Sequence, residues 1–453
     1  MAKTSSHSMK TFYIIWFGQL ISTLGSGLTG FALGVWLYER TSSVTLFALN
    51  ILAFSLPSVL MAPFVGVMTD RYDRRKIMLV GDLGAGVSTL ILFLLLSSDA
   101  LQTWHIYIAT AIGSIFNSFQ WPAYMAATTM MVPKAQLGRA SGLTQIGQAL
   151  SQLLSPALAG VLYLSIGLQG VMGIDFATFL FAVLTLSIVR IPRPVLSETG
   201  EQSKGSVWSE AKYGWYYIRQ RTGLFGLLLW AAVVNFALAF FGPVFLPMLL
   251  NMTTVAVVGV ASSMIGVGML LGTLIMSAWG GPKRRVLGIF VCGTWLGVCV
   301  MLVGLRPYLP TIIGGSFLGM LVLPIANGSS QVLWQTKVEP DIQGRVFAMR
   351  RMIAQSIAPI ATLMAGPLVD QILEPAMLEG GTLAASVGRF IGSGPGRGGA
   401  VIFIVTGLLV VIASLLAYVH PRVRNIESEI PDVVVREIED TAVTDPEPSP
   451  SSA

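Results

Sequence analysis

The chain carries little charge for its length. Asp, Glu, Lys and Arg supply 11 % of its 453 residues, whereas apolar types supply 54 %. Soluble proteins carry about 25 % charged residues. Charges this sparse cannot cover a globule of this size in water, and lipid as the outer solvent removes that demand. Cysteine and histidine are scarcer still, at two and three residues. Cys292 and Cys299 lie seven residues apart in one apolar run. They read as small packing residues, with a shared metal or redox role as the alternative. His7, His105 and His420 are isolated, so no metal site and no cofactor is expected. Nor does the chain hold the converging catalytic groups of a polytopic membrane enzyme. It also lacks the Gly-x-x-x-x-Gly-Lys loop that an ATP-driven pump would need. The opening residues MAKTSSHSMK lack the pattern of a removable signal. The net charge of +6 does not point to nucleic acid, because the charges sit in short segments between apolar stretches.

Those stretches dominate. A membrane helix needs about 20 mostly apolar residues. Twelve runs qualify, near 11–38, 45–69, 77–97, 104–131, 140–164, 168–189, 223–250, 255–279, 286–305, 310–336, 345–371 and 400–419. The expected fold is therefore an all-α membrane protein with twelve transmembrane helices. Frequent Gly and Pro inside the runs fit membrane helices better than soluble ones. If the N-terminus is cytoplasmic, its side receives all of the 28 basic residues except Arg40, Arg306, Arg389 and Arg397. The positive-inside rule then puts both termini in the cytoplasm. A miscounted helix would scramble this asymmetry.

Segments 1–10 and 420–453 read as cytoplasmic termini. The tail is disordered in this reading because it is rich in Pro, Ser and acids. Residues 190–222 form the longest cytoplasmic connection. Trp208, Trp215 and Tyr216 mixed with Lys212, Arg219 and Arg221 suggest an amphipathic surface helix there. Residues 374–399 are Gly-rich and read as a mobile external loop. An internal repeat relates 132–162 to 338–368 at a shift of 206: Gly138-Arg139 matches Gly344-Arg345, and Ala159-Gly160 matches Ala365-Gly366. Arg74-Arg75-Lys76 is echoed by Lys283-Arg284-Arg285. Two pseudo-symmetric six-helix bundles, 11–189 and 223–419, follow, with a substrate site between them near the membrane midplane.

One motif is specific: Gly66, three residues, Asp70-Arg71, two residues, then Arg74-Arg75-Lys76. It resembles the signature between helices two and three of major facilitator transporters, except that Asp73 stands where the family usually has Gly. Gly66 permits close helix approach. Asp70 suits the positive N-terminus of a neighbouring helix. The resemblance makes that neighbour helix eleven, starting near Gly344-Arg345, and makes the contact a latch for one conformational state. A plain basic loop is the alternative. The stretches 18–41 and 339–347 resemble the branch containing macrolide efflux proteins and the enterobactin exporter. That resemblance implies export of drug- or siderophore-like molecules driven by proton exchange. Ser151, Ser155, Pro156, Ala159 and Gly160 are similar to the helix-five antiporter motif, with Ser and Ala replacing several glycines. Many drug antiporters also carry an arginine motif in helix four, and this chain has none there.

Ionisable groups in lipid are costly and usually functional, which makes Asp82 and Asp175 the proton-coupling candidates. Asp82 has the alternative of pairing with Arg74, Arg75 or Lys76, and Asp175 that of a capped polar group at the outer end. Arg350 and Arg351 read as snorkelling anchors or as substrate ligands. A cavity for an amphiphile needs aromatic surface with a few amides or hydroxyls. Candidates are Trp16, Gln19, Ser22, Asn117, Gln120, Trp121, Tyr124, Asn235, Phe236, Phe240, Asn327, Gln331 and Trp334. The expectation is a monomeric efflux transporter in a bacterial-type inner membrane, working with the lipid bilayer, protons and a small-molecule substrate. An importer or lysophospholipid flippase of the same fold, or a membrane receptor or scaffold, is the rival.

Overall fold

A computed structural model of the chain describes residues 9–133, 136–189, 215–338 and 342–431. Among the described residues the chain is helical throughout, without strands. The N-terminal half comprises α1 (Met9–Thr41), α2 (Val44–Arg71), α3 (Arg74–Ser97) and α4 (Thr103–Met131), then the continuous run Leu137–Ile188. That run turns at Gly167, whose φ of 67° and ψ of 179° suit glycine alone. Its arms are α5 (137–166) and α6 (168–188). The C-terminal half begins with α7 (Thr222–Ala239 continued by Phe241–Leu250), α8 (Val255–Trp279), α9 (Arg285–Leu305) and α10 (Leu309–Lys337). It ends with α11 (Gln343–Ser356, Ala358–Pro367 and the wider turns of Leu368–Leu373) and α12 (Arg397–Val419).

Ten described helical runs are long and apolar enough to cross a bilayer. The run through Gly167 counts twice, and α4 packs against α2 and α3 inside the first bundle, so the described membrane helices number twelve. Their outward faces carry large apolar side chains such as Leu60, Ile188, Trp279, Leu416 and Val419, each at least 60 % exposed. Apolar exposure on this scale fits a lipid-facing surface. The alternation of helices defines two faces. Met9, Tyr72, Trp279 and His420 lie toward the near face; Ser43, Gly167, Asn251 and Tyr308 lie toward the far face.

Two segments differ from the sequence reading. Residues 374–396 are folded: Glu374–Met377 and Gly388–Ile391 are short helices, and Met377 and Ile391 are buried. Glu374 accepts hydrogen bonds from the backbone N–H of Gly396 (2.5 Å) and Gly398 (2.9 Å), which caps the start of α12. The tail is folded as far as residue 431. Val423 and Ile426 are buried, Glu427 accepts from the N–H of Arg285 at 2.7 Å, and Lys337 donates to the Glu427 carbonyl at 2.8 Å. Two apolar residues and a carboxylate that caps α9 outweigh the polar composition. In the connection between halves, residues 215–220 are helical, with Ile218 buried and the Arg221 guanidinium 3.6 Å from the Tyr217 ring centre. Trp208 and Lys212 lie outside the described residues, as does the chain beyond 431.

The halves meet toward the far face. One apolar cluster there joins Val35, Tyr38, Val44 and Phe47 of the first half to Val244, Met248 and Val369 of the second. Two repeat-related glycines sit in this contact. A Cβ on Gly160 (α5) would lie 2.8 Å from the Val255 carbonyl oxygen and 3.1 Å from Ala256 Cα in α8. A Cβ on Gly366 (α11) would lie 2.8 Å from the Thr45 nitrogen in α2. Each half thus presents its copy of the repeat glycine to the other half. By contrast, nothing lies within 4 Å of a Cβ added at Gly113. Gly160→Leu is therefore expected to lower stability by about 1–3 kcal/mol through overpacking. Thermal denaturation in detergent should show a lower midpoint for that variant and an unchanged one for Gly113→Leu.

Candidate functional site

Two adjoining cavities lie inside the N-terminal bundle. The larger, about 200 Å³, is lined by Trp16, Gln19, Leu20 and Thr23 of α1, Asn117, Gln120, Trp121 and Tyr124 of α4, and Thr144, Gly147 and Gln148 of α5. Six of the thirteen sequence candidates meet here: Trp16, Gln19, Asn117, Gln120, Trp121 and Tyr124. The helical period explains the grouping, because 16, 19, 20 and 23 share one face of α1. Trp16 is pinned by its indole N–H, which donates to the Leu143 carbonyl at 2.8 Å. The same period adds Thr23, Thr144 and Gln148, which sequence reasoning missed. Gln148 stands one turn after Thr144, a signal that periodicity could have supplied.

The smaller cavity, about 30 Å³, is lined by Ser22, Ser26, Asp82, Ala85, Gly86, Thr89, Asn117, Gln120, Asp175, Phe176 and Phe179. It has room for about two waters. Asp82 and Asp175, 3 % and 4 % exposed, face this one space. Asp82 is held by amides: Gln19 Nε2 donates to its Oδ2 at 3.1 Å and Gln120 Nε2 donates to its Oδ1. Gln120 Nε2 also donates to Gln19 Oε1 at 2.9 Å. Asp175 accepts from Ser26 Oγ and Thr89 Oγ1, both at 3.3 Å. Asp82 does not pair with Arg75, whose guanidinium donates to the carbonyls of Leu186 (3.0 Å) and Ser187 (2.5 Å). Gln19 and Ser26 are seven residues apart, as are Asp82 and Thr89, so the two acids stand about 10 Å apart along the helix axes.

The candidates in the C-terminal half do not line these cavities. Asn235 donates to the Ala231 carbonyl of its own helix at 2.9 Å, and Phe240 is buried with Phe236 edge-on at 5.2 Å. Asn327 is exposed. Gln331 accepts from Arg350 at 3.0 Å, and Trp334, 1 % exposed, lies 5.2 Å below the same guanidinium. Arg350 also reaches Ser330 Oγ at 3.2 Å, whereas Arg351 is exposed.

The antiporter-like residues occupy the seam between halves. Ser151 and Ser155 donate to the carbonyls of Thr23 (3.1 Å) and Leu24 (3.2 Å). The Ala157 N–H donates to Ser263 Oγ of α8 at 3.1 Å. Ser151, Ser155 and Pro156 also line a space of about 350 Å³ with Ser262 and Gly266 of α8. Ala159 is buried.

In the gating motif, Asp73 caps α3, its side chain accepting from the Arg75 N–H at 3.0 Å. Its φ of −60° explains why glycine is dispensable there. Lys76 is exposed. Gly66, Asp70 and Arg71 at the end of α2, and Gly344 and Arg345 at the start of α11, have helical backbones, but their side chains lie outside the described residues. A different carboxylate is docked on a helix end. Asp370, at the far end of α11, accepts from Ser43 Oγ (2.7 Å), the Val44 N–H (3.0 Å) and the Thr45 N–H (2.8 Å). It thereby caps α2 across the two halves. Nearby, Asn251 of α7 donates to the Tyr38 hydroxyl of α1 at 2.8 Å.

Both cysteines are free, with Cys299 buried and Cys292 half-buried. No cluster of three metal-ligating side chains occurs among the described residues.

A family model described as Major Facilitator Superfamily matches residues 15–362. Macrolide efflux protein A of Streptococcus pyogenes is 30 % identical over 379 residues, covering 82 % of this chain and 92 % of that protein. The multidrug efflux pump Tap of Mycolicibacterium fortuitum is 23 % identical, covering 79 % and 88 %. Among solved structures, a bacterial homologue of the human lysosomal transporter Spinster superposes with a TM-score of 0.68 at 13 % identity, covering 93 % of this chain and 98 % of that one. A bacterial homologue of the iron transporter ferroportin gives 0.64 at 14 %, covering 90 % and 99 %. These relatives are transporters, not enzymes.

Charge-assisted hydrogen bonds contribute about 1.5–3 kcal/mol. Asp370→Ala should therefore favour separation of the far face by about tenfold or more. The measurement is thiol labelling at Val44→Cys in a background lacking Cys292 and Cys299. Labelling from the far face should accelerate when Asp370 is removed.

Proposed function

This chain belongs to the Major Facilitator Superfamily, and we propose that it exports small amphiphilic molecules by alternating access, in exchange for protons. The observation that carries the reading is the pairing of two cavities in one bundle. One offers aromatic and amide surface of the kind that holds an amphiphile. The other holds Asp82 and Asp175 with amide and hydroxyl partners, and among the described residues no Lys, Arg or His lines either cavity. Intramembrane carboxylates in such settings mark proton relays in transporters. The names of the macrolide and multidrug efflux relatives support export and a drug-like substrate. Siderophores share the amphiphilic chemistry and belong in the same screen.

The near face carries the basic loops and is the cytoplasmic one in this reading. The protein works as a monomer with both termini on that side of a bacterial inner membrane. Contact between the halves at the far face then corresponds to a state open toward the cytoplasm. The cycle uses one helix pair at both ends. Asp370, at the end of α11, caps the start of α2 on the far face. Asp70, at the end of α2, caps the start of α11 near Gly344 and Arg345 when the near face closes. Gly66 allows the helices to approach, and Arg71, Arg74, Arg75 and Lys76 hold the loop at the anionic leaflet. Ser151, Ser155, Pro156, Ala159 and Gly160 form the packed seam about which the halves rock. Arg350, Gln331, Trp334, Asn327, Asn235, Phe236 and Phe240 meet substrate only as the second half closes over it.

Inverted vesicles acidified inside by about two pH units provide the test. One proton exchanged per solute allows accumulation of about 100-fold, since each pH unit is worth about 1.36 kcal/mol. Macrolides should accumulate in these vesicles, and a protonophore should abolish the accumulation. Asp82→Asn and Asp175→Asn should each lose the gradient-driven component. Unchanged gradient-driven uptake in both variants rejects the proton assignment, and uptake confined to right-side-out vesicles identifies an importer. Asp70→Asn should slow net transport, and an unaltered rate would remove the near-face latch.

A further inference from the structure

Gln19 and Gln120 belong to both cavities in a chemical sense. Each lines the larger one, and each donates its amide N–H to Asp82 in the smaller one. An ionised carboxylate accepts hydrogen bonds only, so two amide N–H donors satisfy it. A protonated carboxyl must also donate its O–H. The acceptors already placed against the carboxyl are the amide oxygens of these same two glutamines, with Ser22, Asn117 and cavity water beside them. Protonation therefore removes one acceptor site and creates one donor. Turning the amide of Gln19 or Gln120 by about half a rotation presents oxygen where nitrogen stood and gives the O–H its nearest acceptor. The two charge states of Asp82 favour different amide orientations, whichever orientation each amide starts from.

We propose that Gln19 and Gln120 are positioning residues that report the protonation of Asp82 to the substrate cavity by turning an amide. The turn alters the polar pattern presented to substrate. With Asp82 ionised, Gln120 gives its N–H groups to Gln19 Oε1 and to the carboxylate. With Asp82 neutral, one amide oxygen is drawn toward the carboxyl and an N–H is released toward the cavity. Substrate that donates to amide oxygen, rather than accepting the freed N–H, binds the ionised state in preference to the neutral one, so proton and substrate compete as exchange requires. By linkage, bound substrate shifts the proton on Asp82 by the same factor. The balance is simple: a proton from cavity water joins the Asp82 carboxylate on one side of the cycle and leaves to water on the other.

The groups facing Asp82 leave few alternatives. Gln19 comes from α1, Asn117 and Gln120 from α4, and Phe176, Phe179 and Asp175 from α6. On α3 itself, Arg75 is committed to the carbonyls of Leu186 and Ser187. Among the described residues, Asp175 is the other titratable group of the small cavity, and Tyr124 is the one in the larger cavity.

This inference rests on the exchange reading, and the two can fail separately. Binding of the macrolide erythromycin to the purified protein is measured across the acid-to-neutral range. Gln120→Met and Gln19→Met are compared with wild type by the ratio of their own affinities at the two ends, whatever the absolute values. Wild type should show a ratio of several-fold, and both variants should show a flat profile with loss of uphill accumulation in vesicles. A wild-type ratio retained in both variants overturns the inference while leaving proton exchange intact. Wild-type transport indifferent to the pH gradient overturns the exchange reading itself. A second measurement needs no altered glutamine. Infrared difference spectra of protein with isotope-labelled glutamine should show a side-chain carbonyl shift on acidification, which disappears in Asp82→Asn. A glutamine band that stays fixed through the titration of Asp82 also overturns the inference.

Discussion

Asp370 sets its carboxylate on the first turn of α2, and closure of the far face depends on that placement. The opening N–H groups of a helix have no partner within the helix, and their aligned dipoles favour an anion. Here the anion comes from the opposite half of the protein, so the same hydrogen bonds that complete α2 also join the bundles. Ser43 makes the arrangement reciprocal: its hydroxyl donates to Asp370 and accepts from the Leu46 N–H at 3.2 Å. Parting the halves would leave the α2 terminus to water and Asp370 without its three donors. In an aqueous vestibule both are readily solvated. The contact can therefore be strong enough to hold one state and weak enough to release.

The neighbouring packing shows why this contact falls where it does. Gly366 lies one turn before Asp370 and brings the α11 backbone against Thr45. Without that approach the carboxylate would not reach the first turn of α2. Its repeat partner Gly160 performs the same service for α5 against α8. The position matching Asp370 at the repeat shift of 206 is Leu164, so the capping carboxylate belongs to one interface and not to both. The pseudo-symmetry supplies two close seams; a single side chain makes one of them electrostatic. In the proposed cycle, solvent conditions and charge then act on α2–α11 while α5–α8 serves as a packing hinge.

The fold was largely legible in the sequence because lipid imposes long apolar runs and a lopsided distribution of basic residues. Gly167 merely joins two expected helices into one run. The site was legible in part. Trp16, Gln19, Asn117, Gln120, Trp121 and Tyr124 were identified by type, aromatic or amide at membrane depth, and helical period brought them together. The same criterion picked out Asn235 and Phe240, which serve their own helix and the core, because residue type does not reveal which way a helix is turned. Asp82 and Asp175 were identifiable as buried acids, but their shared cavity depends on the register of α1 against α3 and α6. Asp370 stood at a helix end, where a carboxylate is cheap, and nothing local marked it as a cap for a helix more than 300 residues away. Composition misjudged the first residues of the tail, as far as 431, because one carboxylate, Glu427, finds the start of α9.

Charge in one bundle bears on movement between the two. The larger cavity is built from α1, α4 and α5 and the smaller from α1, α3, α4 and α6, so in the proposed cycle the C-terminal half acts chiefly as a cover. In the proposed cycle, closing that cover at the near face removes water from the larger cavity and from the glutamines at its back. Dehydrating an ionised carboxylate is far costlier than dehydrating a neutral acid, and the amides offset only part of the difference. Near-face closure is therefore opposed while Asp82 is charged and empty, and eased when a proton or a suitable solute satisfies it. An exchanger needs that rule: the cover closes over a loaded site of either kind and resists closing over an unloaded one. Three hydrogen bonds at Asp370 hold the opposite end shut until the near face has a reason to close.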